Sequence, residues 1–122
     1  MTTPEQHERQ AQSNLDLHGD LAERNQHLDW ALTALFYAAL QYVDAFLLPD
    51  NPRSHSRRNR LVRARTELAP IWPRYRVLMD RSRDARYECF VPTQGQLRYY
   101  RERHFDPIQA HMIQLLESGS GQ

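Results

Sequence analysis

The sequence contains no lysine, one cysteine and four glycines, and each shortage excludes a class of site. Because Cys89 is the only cysteine, no disulfide can form within the chain, which suits a reducing compartment. The glycines at positions 19, 95, 119 and 121 are too scattered to build a glycine-rich phosphate loop. The 16 basic residues are all arginine, a bias that is typical of GC-rich genomes and does not by itself indicate phosphate binding.

Long apolar stretches are also missing. Residues 1–10 are polar and charged, so the pattern predicts no signal peptide. The charge-free part of the most apolar stretch, residues 30–43, is too short to span a membrane. We therefore expect a cytoplasmic protein that does not associate with a membrane.

Signatures of metal sites and activated nucleophiles are absent from the sequence as well. No two histidines or cysteines have the spacing of a zinc site, since Pro107 interrupts the interval between His104 and His111. Cys89 stands in an apolar segment and is interpreted as a small buried side chain, not as a nucleophile. The sequence predicts neither a metal nor a cofactor.

Charge is distributed unevenly along the chain. Residues 1–50 carry a net charge of −6 and residues 51–122 carry +7, with histidine neutral. One interpretation is that the acidic half packs beside the basic half, within the chain or across a dimer. The other is that the basic half binds a polyanion. We favour the first of these.

The 122 residues suit a single domain. Apolar residues recur at helical spacing, and no segment alternates as a strand does. The pattern predicts an all-α fold, an up-and-down bundle of about five helices over residues 1–117, followed by a flexible tail at residues 118–122. The strongest prediction is a helix over residues 27–48, which is apolar on nearly all sides and therefore central in the bundle.

Local cues predict the limits of the other helices. Gly19 predicts a break in the first helix. A serine cap predicts a third helix over residues 54–68, and a proline in the first turn predicts a fourth over residues 73–87. The pair Asp106-Pro107 predicts the cap and first turn of a last helix, separate from a helix over residues 93–104.

Chemically useful side chains cluster at the start of the third helix. His55, Arg57, Arg58 and Asn59 follow a proline-rich turn, where the exposed N–H groups of a helix start favour an anion. An imidazole can move a proton near neutral pH and a guanidinium can hold a phosphate. These are parts that RNA cleavage by a 2′-hydroxyl needs. The alternative is that His55 packs locally and the arginines are solvated.

Arg86 is a further candidate because it continues the apolar face of the fourth helix. A buried arginine needs a partner, since an unpaired buried charge is too costly to persist. That partner is either a bound phosphate or an acid such as Asp44.

The order of these motifs resembles the HEPN-like superfamily, and in particular its short, stand-alone bacterial members. The likeness covers about residues 25–90. It rests on three segments of the sequence: Asp29-Trp30-Ala31 with the run from Phe36 to Leu47, the run from Pro52 to Asn59, and Ser82-Arg83-Asp84-Ala85-Arg86-Tyr87.

The resemblance implies a homodimeric helical bundle that cleaves or binds RNA, or that partners a nucleotidyltransferase, in defence or toxin–antitoxin systems. On this hypothesis His55 is the general base of a metal-independent ribonuclease, and Arg58 and Arg86 stabilise the developing charge. Four further residues are predicted to contact the substrate: Tyr37, Arg57, Asn59 and Tyr87. The alternative hypotheses are a non-enzymatic interaction module and a bundle that binds a small molecule.

Overall fold

The computed structural model describes residues 2–120 of the chain, and this part contains helices and no strand. The helices are α1 (Pro4–Arg24), α2 (Leu28–Phe46), α3 (His55–Ala64), α4 (Trp72–Tyr87), α5 (Gln94–Tyr100) and α6 (Asp106–Ser120). A π-helical turn joins α5 to α6, so that the two form one continuous rod. The described part of the chain therefore has five helical rods, which confirms the predicted all-α bundle.

The first two helices form an antiparallel hairpin. Residues near opposite ends of the helices meet across it, since the His7 ring donates to the Gln41 amide oxygen at 2.6 Å and the His18 ring donates to the carbonyl of Ala31 at 2.9 Å. α1 runs without interruption through Gly19, so the predicted break at that residue is wrong. A glycine inside a helix costs about 1 kcal/mol, and packing of α1 on α2 outweighs this cost.

α2 is the central helix of the bundle, as its apolar pattern predicts. Thirteen of its 19 residues are buried. It packs against α1, α4 and α6, and each large apolar side chain that it buries stabilises the fold by about 2 kcal/mol. No helix in the described part of the chain is long and apolar enough to cross a membrane.

The third helix is shorter than predicted. Its cap is Ser54, whose hydroxyl accepts from the backbone N–H of Arg57 at 3.1 Å. It ends at Ala64 and not near residue 68, because Arg65 adopts an extended conformation. The Arg65 guanidinium lies 3.1 Å from the Asp50 carboxylate, which ties the end of α3 to the turn before it.

The connection after α4 also departs from the sequence interpretation. α4 ends at Tyr87, as predicted. Cys89 then takes a positive φ of 56° and is exposed, so its assignment as a buried residue is wrong. A turn in the left-handed region lifts this side chain away from the core.

α6 begins at Asp106, where the sequence predicts its start, but Asp106 does not act as a cap and no break separates α6 from the preceding helix, which corrects that part of the prediction. Asp106 has helical φ and ψ angles, and a π-helical turn over Arg101–Phe105 carries the chain into α6. Pro107 has no N–H to give to the carbonyl of Arg103. The Nε of Arg74 in α4 donates to that carbonyl instead, at 3.2 Å. A donor from another helix therefore lets the rod continue through the proline.

The C-terminal end of the domain lies further along the chain than predicted. α6 continues to Ser120, so residues 118–120 are helical and the predicted tail does not begin at residue 118. Residues 121 and 122, the rest of the predicted tail, lie outside the described residues.

Candidate functional site

Three helices bring together side chains that are distant in the sequence. His55 is the first residue of α3, and its ring lies 6.4 Å from the ring of Phe36 in α2. Arg86, in the last turn of α4, places its guanidinium carbon 5.5 Å from the centre of the Tyr37 ring, also in α2. The predicted residues His55, Arg58, Arg86 and Tyr37 thus surround one junction of α2, α3 and α4.

Arg58 forms a two-pronged ion pair with Asp44 at this junction. Its Nε lies 2.6 Å from Oδ1 and its Nη2 lies 2.9 Å from Oδ2. Burial opposes the charged form of Arg58, but hydrogen bonding to Asp44 and the charge of its carboxylate, with smaller contributions from Tyr75 and Tyr37, together outweigh it and raise the pKa of Arg58. The charge of Arg58 is therefore neutralised within the protein. Asp44 is the partner of Arg58 and not of Arg86, which corrects the acid partner suggested for Arg86.

His55 is held in a neutral state by its surroundings. The residue is exposed, but one side of its ring packs near Phe36, and this loss of hydration lowers its pKa. The charges of Arg58 and Arg86 lower the pKa further. A His55 pKa below its ordinary value means that the imidazole is uncharged at neutral pH.

The hydrogen-bonding role of each His55 nitrogen follows from its neighbour. Nη1 of Arg58 lies 3.5 Å from Nδ1 of His55. A guanidinium only donates, so any hydrogen bond in this long contact is accepted by Nδ1. In a neutral imidazole the proton then sits on Nε2. His55 therefore offers a hydrogen-bond donor, not a bare nitrogen, on its outer side.

Arg86 has no carboxylate partner among residues 2–120. Its guanidinium carbon lies 5.5 Å from the ring centres of both Tyr37 and Tyr87. Its Nη1 donates to the hydroxyl of Ser82 at 3.2 Å, and that hydroxyl donates to a backbone carbonyl. The residue is half-buried and not fully buried as its helical face predicts. Contact with two aromatic rings is worth about 1 kcal/mol and fixes the position of the cation.

The other predicted contact residues have different surroundings. Tyr87 is 71% exposed and borders Arg86. Arg57 is exposed, and its Nη2 donates to the carbonyl of Asp50 at 3.3 Å. Asn59 turns inward, where its amide nitrogen lies 3.3 Å from the sulfur of Met79. Tyr87 thus belongs to the cluster around Arg86, whereas Arg57 and Asn59 face away from it.

Tyr75 belongs to the junction and was not identified from the sequence as a site residue. It is fully buried, its ring centre lies 5.5 Å from that of Phe36, and its hydroxyl has no hydrogen-bond partner among the described atoms. Burial strongly raises the pKa of Tyr75, so the hydroxyl stays protonated. Its position on the apolar face of α4 indicates burial but gives no sign of the nearby ion pair.

Exposed arginines occur in α3 and just before it. Four exposed arginines make no salt bridge within the described part of the chain: Arg53, Arg57, Arg60 and Arg63. Among residues 2–120, only Asp44 and Asp50 of the acidic half pair with arginines of the basic half. The interpretation that the two halves pair within the chain therefore holds for these two acids. Most of the other charged residues of the two halves make no salt bridge with each other within the described part of the chain.

No metal centre is apparent among residues 2–120, since no group of three or more His, Cys, Asp or Glu side chains could hold an ion. Comparison of the chain with protein-family models, with curated proteins and with solved structures finds no match in any of the three.

Proposed function

We propose that the protein binds RNA at the junction of α2, α3 and α4, as a homodimeric HEPN-like protein of a defence or toxin–antitoxin system. One observation carries the proposal. Arg86 is a cation held over the Tyr37 ring with no carboxylate partner in the described part of the chain, and its charge lowers the pKa of His55. An anion that binds there meets a fixed charge and a neutral ring.

A phosphate group suits this arrangement. The remaining N–H groups of Arg86 can donate to phosphate oxygens, and guanidinium matches phosphate geometry. His55 adds a second donor through Nε2. The negative charge of the phosphate would also offset the repulsion that lowers the His55 pKa. Binding and protonation of His55 are therefore expected to favour each other.

The residues around the junction suit a nucleic-acid strand as well as a single phosphate. The exposed arginines of α3 supply further positive charge on the helix that begins with His55, and phosphate contacts dominate the affinity for nucleic acids. Tyr87, which is 71% exposed, offers a ring face on which an unpaired base can stack. Single-stranded RNA carries both phosphates for the arginines and unpaired bases for the tyrosine ring.

Fluorescence anisotropy with a short labelled single-stranded RNA tests the proposal. We expect Arg86→Gln to weaken binding about tenfold, because it removes charged hydrogen bonds to phosphate. Its matched control is Arg76→Gln, an exposed arginine of the same helix that lies 3.7 Å from Asp80; this change should leave the affinity nearly unaltered. Equal affinities for all three proteins, or no binding by the wild type, would refute the proposed site.

The ribonuclease hypothesis uses the same residues but requires His55 to accept a proton. Nδ1 of His55 faces the Arg58 guanidinium at 3.5 Å, a contact that suits a proton on Nε2, and we propose that His55 donates to a phosphate and does not act as a base. We therefore expect binding without cleavage. Incubation with mixed single-stranded and structured RNA in the presence of EDTA, beside His55→Ala, separates the hypotheses. Cleavage by the wild type that is lost in the variant would indicate a metal-independent ribonuclease.

A second candidate function is a non-enzymatic interaction module, for example the partner of a nucleotidyltransferase. It is favoured by an apolar, uncharged groove between α1 and α2. Failure of RNA binding together with a stable complex with such an enzyme would make this the better assignment.

A further inference from the structure

The surface between α1 and α2 carries an apolar groove of about 710 Å³, a volume typical of sites for small ligands. None of the ten residues that line it is Asp, Glu or Arg, although a quarter of the chain is charged. Its lining includes Trp30, which is 56% exposed, and Leu17, which is 50% exposed. Such a lining suits an uncharged group with apolar or aromatic faces, because a charged group would lose its hydration there without gaining a partner.

Two aromatic residues border a slot within this groove. Trp30 and Tyr37 stand on one stripe of α2, two helical turns or about 10 Å apart along the helix axis. Thr33 and Ala34 lie between them on the same stripe, and they line the groove with small side chains. Large rings at the two ends and small side chains between them leave room for a flat aromatic group.

α1 contributes a pair of amide side chains to the same groove. Nε2 of Gln10 donates to Oδ1 of Asn14 at 3.0 Å, whereas Oε1 of Gln10 and Nδ2 of Asn14 have no hydrogen-bond partner within the described part of the chain. Because His7 meets Gln41 across the antiparallel hairpin, this amide pair lies towards the Tyr37 end of the groove. The free acceptor and the free donor suit the edge of a nucleobase, where donors and acceptors stand side by side.

Tyr37 joins the groove to the proposed phosphate site. It lines the groove, and the guanidinium carbon of Arg86 lies 5.5 Å from the centre of its ring. A phosphate on Arg86 and a flat group in the groove are thus separated by about the size of one aromatic ring. In a nucleotide, a single ribose connects the phosphate to the base, so the two parts can occupy both places at once.

We infer that the slot between Trp30 and Tyr37 binds an unpaired base of single-stranded RNA, from a nucleotide whose phosphate binds Arg86. The two rings stack on the base, and the amides of Gln10 and Asn14 bond to its edge. This inference rests on the proposed function and adds recognition of a base to the binding of phosphate. The base site can fail while the phosphate site stands.

Fluorescence anisotropy with two short labelled strands of equal length tests the base site: oligo(A), and a strand in which abasic spacers replace every base. We expect Trp30→Ala to weaken the binding of oligo(A) about tenfold, because a stacking contact is lost, and to leave the abasic strand nearly unaffected. Arg86→Gln should weaken both strands. The control is Tyr99→Ala, since Tyr99 is 52% exposed and lies outside the groove; it should change neither affinity.

A second variant blocks the slot without removing a ring. Ala34→Leu places a larger side chain between Trp30 and Tyr37, and it should cause the same selective loss of oligo(A) binding. Circular dichroism checks that each variant is folded. Folded variants that bind oligo(A) as the wild type does would overturn the base site, and the phosphate site would stand if Arg86→Gln still weakens both strands. A wild type that binds neither strand would overturn both proposals.

Tryptophan fluorescence locates the base independently of affinity. The chain has two tryptophans, and Trp72 lies outside the groove, against the guanidinium of Arg63. Oligo(A) should quench the emission of the wild type, because a base stacks on Trp30. Trp30→Phe keeps a ring for stacking but should abolish the quenching. Quenching that persists in this variant would place the base near Trp72 and contradict the inference.

Discussion

At the scale of single residues, the pairing of three charged side chains decides which of them can bind an anion at the junction of α2, α3 and α4. Asp44 neutralises Arg58 through two hydrogen bonds. Arg86 makes no salt bridge within the described part of the chain and instead lies between two tyrosine rings. The buried arginine is thus structural, and the half-buried one is free to bind an anion.

Asp44→Ala is predicted to lower the free energy of unfolding by about 3 kcal/mol, because it leaves the buried guanidinium of Arg58 without a partner. The matched control is Asp80→Ala, which removes the acid of an exposed pair with Arg76 and should cost about 0.5 kcal/mol or less. Urea unfolding measures both. Similar small losses for the two variants would show that Arg58 finds water or another partner.

The sequence predicts which residues meet at this junction better than it predicts which of them form an ion pair. His55, Arg58 and Arg86 were predicted from helix starts and helical faces, and the structure brings all three together. The distances of α3 and α4 from α2 decide which arginine Asp44 binds. These distances cannot be predicted from the local sequence pattern of any one helix. Tyr75 was missed as a site residue for the same reason, since burial of an aromatic residue is the commoner meaning of its position.

At the scale of elements, the strength of the apolar pattern determines how well each helix was predicted. α2 was predicted within two residues at each end because nearly all of its faces are apolar and a proline-rich turn follows it. α3 ends early because Arg65 binds Asp50, a contact across the preceding turn. At Asp106-Pro107, a donor from α4 replaces the missing N–H. The errors therefore arise where a tertiary contact changes a local preference.

Gly19→Ala is predicted to raise the free energy of unfolding by about 0.5–1 kcal/mol. Gly19 lies inside α1, more than one turn before its last residue, Arg24, and an added Cβ would meet no atom within 4 Å. The gain arises because alanine loses less conformational entropy than glycine on folding.

Gly119→Ala is the control for this change, since it also has open space but lies in the last turn of α6. Helix ends contribute little to global unfolding, so its effect should be near zero. A loss of stability in Gly19→Ala would mean that the helix needs the freedom of glycine there.

At the scale of the whole molecule, charge and apolar surface are unevenly distributed. α1 holds five acids and two arginines, α4 holds five arginines and two acids, and an uncharged groove lined by Tyr37 runs between α1 and α2. The overall charge asymmetry is visible in the sequence. Which helices border the groove follows only from the packing of the bundle.

The most direct test of the account is an NMR pH titration of the His55 ring with and without a short single-stranded RNA. In the free protein, partial burial and the nearby arginines hold the pKa of His55 below its ordinary value. A phosphate bound beside Arg86 stabilises the charged ring, so saturating RNA should raise the His55 pKa, and Arg86→Gln should remove this response. An unchanged His55 pKa at saturating RNA would contradict the central claim that RNA binds at this junction.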